Sequence, residues 1–430
     1  MNKKSLEQYR KELFQCVLCG ACKAVCPSFL QEREESLSPR GRLALIRAVR
    51  DRRLPLSDLF KDRLATCAGC LACEASCPSG VPVADIIQAA KEQAVSESGR
   101  GVINSILSGV LRSGRALRSL AWLAPVVLRY ARGSFAESGK GNGISASHKP
   151  FLDTAPEAGS SAAHKGRGRT RGRAAFFVGC ASNYFQQDIA RAAVSVLGRL
   201  GFDVIIPKEQ TCCGRPLLSL GDREAAREHA HSNAALFAGL GADVIVTACA
   251  SCGLTFKKEY PKLLPPDVPR PAVLDIHELL LDGLEGLDLA PARTIVTYHD
   301  PCHLGRGQGL SKTARKVLLA VPGLTLREMQ NADRCCGFGG MMRITHHELS
   351  SGIAGAKARD IISTGASVVA TGCPGCRMQI TDALRSAGSD VEVLHTVQIV
   401  EAAMNKEDEK ATPSLSRAIA LTRGSCRTGC

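Results

Sequence analysis

The chain contains 430 residues, which is enough for about three domains of ordinary size. Hydrophobic residues make up 45% and charged residues 22% of the chain, and these values exclude wholesale disorder, collagen-like repeats and coiled coils. The formal net charge of +14 is typical of proteins that meet an anionic membrane face or an acidic partner. Aromatic residues make up only 4%, too few for the stacking platforms of a single-strand binder, and we expect no nucleic-acid partner.

Cysteine is the unusual residue, with 20 copies in the chain. Residues 1–14 read MNKKSLEQYRKELF, without the apolar core or the small-residue cleavage site of a secretory signal. We therefore expect a cytoplasmic location, with peripheral attachment to the cytoplasmic face of a membrane as a further expectation. In a reducing compartment, clustered cysteines bind metals or carry redox chemistry rather than form disulfides. No apolar run is long enough to predict a transmembrane helix.

The N-terminal part contains two copies of the run Cys-x₂-Cys-x₂-Cys-x₃-Cys-Pro. The first copy comprises Cys16, Cys19, Cys22 and Cys26. The second copy comprises Cys67, Cys70, Cys73 and Cys77. In bacterial ferredoxins with this spacing, three cysteines bind one [4Fe–4S] cluster and the fourth reaches the other cluster. We expect one cluster on Cys16, Cys19, Cys22 and Cys77, and a second on Cys67, Cys70, Cys73 and Cys26. A pair of Cys₄ zinc sites, the alternative, requires neither the third cysteine nor the proline.

Residues 1–98 are predicted to form an all-α ferredoxin domain, because helical periodicity begins after Pro39 and continues through Leu43, Ile46 and Arg50. Residues 99–132 are predicted to form a basic amphipathic helical segment without acidic residues. Its marked residues are Arg112, Arg115, Arg118, Arg129, Arg132 and Trp122. Two interpretations remain open for this segment: it lies on anionic lipid or a partner protein, or it packs on the ferredoxin domain.

Residues 133–173 are rich in Gly, Ser, Ala, Lys and Arg and are predicted to be a flexible linker. Within it, the basic run KGRGRTRGR is interpreted as solvated linker rather than as a nucleic-acid tail. Beyond the linker, strand-like runs alternate with helical patterns, which predicts α/β domains with largely parallel sheets. Residues 405–430 lose apolar periodicity and are predicted to be a tail, which contains Cys426 and Cys430.

The α/β part repeats its cysteine pattern at nearly constant spacing, which predicts one cysteine-rich repeat over residues 174–290 and a second over residues 291–404. Repeat 1 contains Cys180, Cys212, Cys213, Cys249 and Cys252. Repeat 2 contains Cys302, Cys335, Cys336, Cys373 and Cys376. Several of these cysteines follow predicted strands, and the carboxyl ends of parallel strands converge on one crevice. Five thiols exceed the four that a structural zinc accepts. We therefore expect one or two further iron–sulfur clusters here, with zinc as the alternative and inert packing as a third possibility.

Four histidines near these cysteines are expected to have supporting or surface roles. His299 and His303 flank Cys302, and neighbours of a ligand commonly supply hydrogen bonds rather than ligate, although ligation and proton relay remain open. His346 and His347 are adjacent, and adjacent residues do not share a helix face. We expect that pair to lie on the surface.

Together, the twin ferredoxin runs, the SPRGR segment at residues 38–42 and the two complete C…CCG…CxxC repeats resemble the iron–sulfur subunit of glycolate oxidase. The resemblance covers residues 15–395 and extends to the iron–sulfur proteins of lactate oxidation, of anaerobic glycerol-3-phosphate dehydrogenase and of heterodisulfide reductase. It implies a helical ferredoxin domain, two CCG domains and a partner chain that carries FAD. In heterodisulfide reductases the same repeat holds a non-cubane cluster on five cysteines, and all five positions are present here in both copies.

The resemblance implies an electron-transfer subunit of a flavin-dependent glycolate or D-lactate dehydrogenase, which passes electrons from the flavoprotein to a membrane, quinone-reducing or soluble acceptor. No GxGxxG or GxxxxGK[ST] motif lies in a suitable context, so we expect no flavin in this chain. The first alternative is a heterodisulfide-reductase-like subunit that reduces a disulfide at a CCG cluster. The second is a zinc-stabilised scaffold.

Overall fold

The structure of the chain is a computed structural model that describes residues 6–114, 116, 118–119, 150–155, 171–269 and 272–404. Trp122, Arg115, Arg129 and Arg132 of the basic segment lie outside the described residues, as do most of the predicted linker and the tail with its two cysteines. Within the described ranges, no helix has the length and apolar character needed to cross a membrane. The described chain forms a helical N-terminal part followed by two parallel α/β units.

The N-terminal part is helical, as predicted. Its helices are α1 (Arg10–Phe14), α2 (Ala21–Val25), α3 (Pro27–Glu32), α4 (Pro39–Arg50), α5 (Asp58–Ala65), α6 (Ala72–Ala75) and α7 (Val83–Ser98), with 3₁₀ turns at Glu7–Tyr9 and Glu35–Leu37. Helix α4 begins where Ser38 accepts a hydrogen bond from the Gly41 amide and Pro39 occupies the first turn. Leu13, Ile46 and Leu64 are fully buried in the core between these helices.

Two short helices follow, α8 (Val102–Arg112) and α9 (Phe151–Thr154). Helix α9 lies within the predicted linker, yet Phe151 and Leu152 are buried in the core of repeat 1 and the Leu152 amide donates to Asn183. Strand β1 also begins inside that range, at Gly172. A short packed segment therefore interrupts the predicted linker. The composition of the sequence did not indicate this segment, because the residues on either side of it are rich in Gly and Ser.

Repeat 1 contains a parallel sheet in the order β2-β1-β3-β4. Its strands are β1 (Gly172–Phe177), β2 (Phe202–Ile205), β3 (Val244–Thr247) and β4 (Val273–Asp275). Its helices are α10 (Gly179–Tyr184), α11 (Gln187–Arg199), α12 (Arg215–Ser219), α13 (Arg223–Ala238), α14 (Ala250–Leu254), α15 (Tyr260–Leu263) and α16 (Ile276–Gly283), with a π-helical turn at Thr255–Glu259 and a 3₁₀ turn at Leu284–Gly286.

Repeat 2 contains a second parallel sheet in the equivalent order β6-β5-β7-β8. Its strands are β5 (Thr294–His299), β6 (Leu324–Leu326), β7 (Val368–Thr371) and β8 (Glu392–His395). Its helices are α17 (Cys302–Gln308), α18 (Ser311–Leu319), α19 (Met342–Thr345), α20 (His347–Ile362), α21 (Pro374–Ser386) and α22 (Thr396–Met404), with a 3₁₀ turn at Gly339–Met341. The equal strand orders confirm the prediction of two copies of one parallel α/β module.

The two repeats share one hydrophobic core rather than forming separate globules. The last helix of each repeat packs on the first long helix of the other: α16 contacts α18, and α22 contacts α11. Val196 and Val400 are fully buried in the resulting cluster, together with Val317 and Leu280. The predicted boundary between the repeats near residue 290 therefore does not separate two hydrophobic cores. The exchanged helices set the relative position of the two sheets.

The described part of the basic segment packs on repeat 1, not on the ferredoxin domain as one of the two interpretations expected. The Asp222 carboxylate is fully buried and forms salt bridges with Arg100 (2.7 Å) and Arg112 (3.1 Å). It also accepts a hydrogen bond from Ser108. Burial opposes ionisation of Asp222, but the hydrogen bonds from Arg112 and Ser108 prevail and hold its pKa below the usual value.

Asp222 also caps helix α13 by accepting a hydrogen bond from the Ala225 amide at 3.2 Å. We expect Asp222→Ala to lower the free energy of unfolding by about 2–4 kcal/mol, because it removes the cap and the buried acceptor of two arginines. Asp222→Asn should lower the free energy of unfolding by about half as much, because Asn caps a helix as well as Asp does. Guanidinium unfolding of the two anaerobically purified variants checks this, and equal midpoints for Ala and Asn would contradict the capping role.

Candidate functional site

The structure gathers the eight ferredoxin-type cysteines around two cavities. Cys26, Cys67, Cys70 and Cys73 line one cavity, called here the inner cavity. Cys16, Cys19, Cys22 and Cys77, with Cys73 at the edge, line the other, called the outer cavity. In each cavity, three cysteines of one run thus meet the fourth cysteine of the other run. This is the crossed arrangement that the proline-terminated spacing predicts.

The SPRGR segment lies between the two cavities and supplies one arginine to each. Arg40 borders the outer cavity and donates to the Leu18 carbonyl at 2.8 Å. Arg42 borders the inner cavity, is almost fully buried, and donates to Thr66 at 2.7 Å. Gly41 between them has no room for a side chain, since an added Cβ would lie 1.9 Å from the Glu35 carbonyl oxygen. Two cations beside these cysteine-lined cavities would offset the negative charge of thiolates that bind a cluster there.

In repeat 1, the five predicted cysteines come together at the carboxyl edge of the sheet. Cys180 follows β1, and Cys249 follows β3 by two residues. The Cys180 and Cys212 sulfur atoms are 3.8 Å apart. Gly214 has a φ of +90°, which lets the adjacent pair Cys212 and Cys213 turn toward this edge, as its sequence position predicted.

In repeat 2, the equivalent five thiols occupy the same edge. Cys302 begins α17 after β5, and Cys373 follows β7 by two residues. Gly337 has a φ of +89° after the pair Cys335 and Cys336. Cys335 contacts Cys302 and Cys336, and Cys336 contacts Cys376.

In each adjacent pair, the second cysteine has a lowered pKa, which favours its thiolate form. Hydrogen bonds from Cys212 and Cys252 hold the pKa of Cys213 well below its usual value. Hydrogen bonds from Cys335 and Cys376 do the same for Cys336. Thiolates are the form that binds soft metals, and buried sets of five sulfur donors fit iron–sulfur chemistry better than a four-coordinate zinc site.

The thiols of the two repeats and Cys70 form a continuous series in which each thiol interacts with the next. Cys249 of repeat 1 contacts Cys373 of repeat 2, so the two repeat sites meet face to face. Cys335 of repeat 2 contacts Cys70 of the inner cavity. In order, the contacts run through Cys180, Cys212, Cys213, Cys252, Cys249, Cys373, Cys376, Cys336, Cys335 and Cys70. Spacing along the chain did not predict these contacts between domains.

The ferredoxin domain docks on repeat 2 through backbone contact. An added Cβ at Gly340, whose φ is +70°, would lie 2.3 Å from the Cys67 carbonyl oxygen. An added Cβ at Gly339 would lie 2.3 Å from the Ala68 carbonyl oxygen. Arg306 donates to the Cys70 carbonyl at 2.9 Å. The two glycines let the cysteine loop and repeat 2 approach closely enough for Cys70 to meet Cys335.

His303 connects all three parts of the protein, and its hydrogen bonds are those of a supporting residue. Its Nε2 lies 3.1 Å from the Gly69 carbonyl and its Nδ1 lies 2.8 Å from the Ser251 hydroxyl. Burial lowers the pKa of His303 to about 4, so the ring is neutral near pH 7. Because a carbonyl only accepts, Nε2 donates to Gly69 and Nδ1 accepts from Ser251. The Ser251 oxygen lies 3.8 Å from the Cys373 sulfur.

His346 and His347 lie at the surface with part of each side chain exposed, and His346 makes a contact that the sequence did not predict. Both residues are half-buried, and His346 Nε2 lies 2.9 Å from the Asp62 carboxylate of the ferredoxin domain. The contact joins residues far apart in sequence, so neither the adjacency of the two histidines nor their helix position indicated it. This contact between His346 and Asp62 is a second attachment of the ferredoxin domain to repeat 2.

Comparison with known proteins agrees with this architecture. A family model described as a 4Fe-4S dicluster domain matches residues 12–81, and one described as a cysteine-rich domain (CCG) matches residues 174–257 and 296–381. The probable glycolate oxidase iron–sulfur subunit of Bacillus subtilis is 30% identical over 427 residues, which cover 92% of this chain and 95% of the relative. The chain belongs to this family of iron–sulfur subunits. The resemblance seen in the sequence is thereby confirmed.

Two further relatives are named as subunits of reductases. One subunit of the fumarate reductase (CoM/CoB) of Methanothermobacter marburgensis is 29% identical over 405 residues, covering 93% of this chain and 74% of the relative. One subunit of the dihydromethanophenazine:CoB–CoM heterodisulfide reductase of Methanosarcina acetivorans is 26% identical over 418 residues, covering 91% and 94%. This iron–sulfur subunit is accordingly an oxidoreductase component with an electron-transfer role.

A solved structure supports the fold alone. The crystal structure of a hypothetical protein from Helicobacter pylori matches with a TM-score of 0.55 at 10% identity, covering 98% of this chain and 79% of that chain. The parallel α/β units with a helical dicluster domain are established by the family models and by the structure. The predicted domain limits stay predictions.

The close approach of repeat 2 to the inner cavity predicts the effect of one glycine substitution. We expect Gly340→Ala to weaken docking of the ferredoxin domain, because the methyl group would overlap the Cys67 carbonyl. Gly388→Ala is the matched control: Gly388 has a φ of +67° with nothing within 4 Å of an added Cβ, so it carries only the backbone strain of about 1–2 kcal/mol. Limited proteolysis under anaerobic conditions should release the ferredoxin domain from the Gly340 variant and not from the Gly388 variant. Equal resistance would contradict the docking role.

Proposed function

We propose that this chain is the electron-transfer subunit of a flavin-dependent dehydrogenase of 2-hydroxy acids such as glycolate or D-lactate. A partner chain that carries FAD would oxidise the substrate, and this chain would take the electrons to a membrane or soluble acceptor. The observation that carries the proposal is the continuous series of thiols from repeat 1 to Cys70 at the inner cavity. Bound clusters supply one-electron transfer along that series.

The ligand sets that we propose follow the two cavities and the two repeats. One [4Fe–4S] cluster is held by Cys16, Cys19, Cys22 and Cys77, and another by Cys67, Cys70, Cys73 and Cys26. The crossed lining of the cavities supports this assignment. Each repeat holds a further cluster on its five thiols. The non-cubane form is proposed for these sites because an adjacent cysteine pair supplies one donor more than a cubane requires.

The outer cavity is the side at which we propose that the flavoprotein docks. Cys19 is the exposed member of the eight ferredoxin-type cysteines. Phe14, Val17 and Leu18 beside it are more than half exposed, and an apolar patch of this kind is typical of a protein interface. Electrons would then enter near Cys19, pass to the inner cavity and leave toward repeat 2 through the Cys70–Cys335 contact.

Peripheral membrane association is proposed for helix α8. Val102, Ile103 and Ile106 project into solvent, with Val102 77% exposed. The opposite face of the helix is held by Asp222 of repeat 1. An exposed apolar stripe on a segment without acidic residues suits an anionic lipid surface.

The second candidate function is reduction of a disulfide between the repeats. The specific observation in its favour is the meeting of two complete five-thiol sets at Cys249 and Cys373. The reaction would consume two electrons and two protons for each disulfide and release two thiols. The Methanosarcina acetivorans relative is named as a heterodisulfide reductase subunit, which is consistent with this reaction.

Crossed ligation predicts which cluster each substitution removes. Cys77→Ala should remove the cluster of the first run although it changes the second run, and Cys26→Ala should remove the cluster of the second run. Each variant should lose about four iron atoms and the electron paramagnetic resonance signal of one cluster. Cys426→Ser, which changes a cysteine outside both patterns, is the control and should keep full iron. Loss of the cluster of the substituted run itself would refute the crossed assignment.

The electron route predicts that Cys70→Ala abolishes reduction of the physiological acceptor. The flavoprotein partner, assayed in the complex with glycolate and with D-lactate, should still reduce an artificial dye, because substrate oxidation does not require this chain. Cys426→Ser again serves as the control. Unchanged acceptor reduction by the Cys70 variant would eliminate the electron-transfer function. Disulfide-dependent turnover, lost on Cys336→Ala and absent with hydroxy acids, would establish the second candidate instead.

A further inference from the structure

His299 occupies a position at which the two repeats differ in chemistry. It is the last residue of β5 and is paired in register with Thr371, two residues before Cys373. In repeat 1 the same register position, paired with Thr247 two residues before Cys249, is occupied by Phe177. Both side chains are therefore placed by the same strand geometry at the edge of a cysteine site.

The imidazole of His299 is buried beside the Cys336 thiol, but neither of its nitrogens makes a hydrogen bond of normal geometry among the described residues. The residue is 1% exposed. Leaving a buried polar atom unpaired costs about 1–3 kcal/mol. His303, one helical turn further along the chain, has both ring nitrogens hydrogen-bonded. Of the two histidines near Cys302, His303 has both ring nitrogens hydrogen-bonded, whereas His299 has nitrogens that could bind a metal ion.

The nearest donors to His299 are two cysteines of repeat 2. One ring nitrogen of His299 and the sulfur atoms of Cys336 and Cys376 all lie within 4.8 Å of one another, and all three residues are buried. A metal ion bound by two thiolates and an imidazole would satisfy one of the two unpaired nitrogens and both sulfurs at once.

We propose that His299 is an imidazole ligand to an iron atom of the cluster that repeat 2 binds through Cys336 and Cys376. The proposal rests on the proposed function in one respect, that repeat 2 holds an iron–sulfur cluster. It selects ligation, which the sequence left open for His299, over the supporting role expected there. Histidine replaces cysteine as an iron ligand in known [2Fe–2S] centres, so the donor is chemically suitable.

Repeat 1 cannot form an equivalent centre. Phe177 packs in an aromatic cluster, with its ring centroid 4.8 Å from that of Phe256 and 5.9 Å from that of Phe237. A phenyl ring supplies no donor, so the site of repeat 1 contains thiols where that of repeat 2 contains thiols and an imidazole. The two copies of one module therefore hold electronically different centres.

The test uses the full-length protein labelled with ¹⁵N-histidine and purified anaerobically. Pulsed electron paramagnetic resonance, recorded across a redox titration so that each cluster becomes paramagnetic in turn, should show one strongly coupled histidine nitrogen. The coupling should persist in His303→Gln, which changes the neighbouring buried histidine, and be lost in His299→Gln. ⁵⁷Fe Mössbauer spectra detect every iron atom whatever its spin state. The signal of one iron site in the wild-type protein should change in His299→Gln and stay the same in His303→Gln.

Three outcomes would overturn the inference. They are a filled repeat 2 without any strongly coupled histidine nitrogen in the wild-type protein, a coupling that survives His299→Gln, and zinc in place of iron in repeat 2. The wild-type measurement needs no variant to fold. If the flavoprotein reduces the clusters but no histidine coupling is seen, the ligand proposal is wrong and the electron-transfer function is supported. A histidine coupling without such reduction would remove that function and keep the ligand.

Discussion

Parallel strand direction is the constraint on which the rest of this structure depends. A parallel sheet brings the carboxyl ends of its strands to one edge, and in each repeat the cysteines follow β1 and β3, or β5 and β7, at that edge. Residues far apart in the chain become neighbours for this reason alone. The exchange of terminal helices between the repeats then turns the two edges toward each other, which allows Cys249 to meet Cys373.

Close backbone approach is the second requirement, because it brings the cysteine loop of the inner cavity next to the thiols of repeat 2. Gly339 and Gly340 provide that approach to the carbonyl groups of the inner cavity. His303 and His346 add polar attachments from repeat 2 to the same domain. The helical domain is therefore held as part of the body that contains the repeats, and its inner cavity is directed toward Cys335.

Internal duplication explains the architecture, and the differences between the copies indicate separate roles. The sheet orders, the positions of the adjacent cysteine pairs and the glycines that follow them are equivalent. The copies differ at Phe177 and His299, and only repeat 2 contacts the inner cavity through a cysteine among the described residues. An electron-transfer protein gains from such differences, since unlike ligands give neighbouring centres unlike reduction potentials.

The sequence by itself determined the family, the helical and parallel α/β classes and the cysteines that gather at each site. It could do so because short spacings such as Cys-x₂-Cys act within one loop, and because strand and helix periodicity are local properties. Only the tertiary structure shows that the two repeats face each other, that α8 packs on Asp222 and that α9 is a packed segment. It also shows the contact between Asp62 and His346 and the unpaired nitrogens of His299. These features depend on which surfaces meet after the elements form, and no local pattern in one chain encodes that pairing.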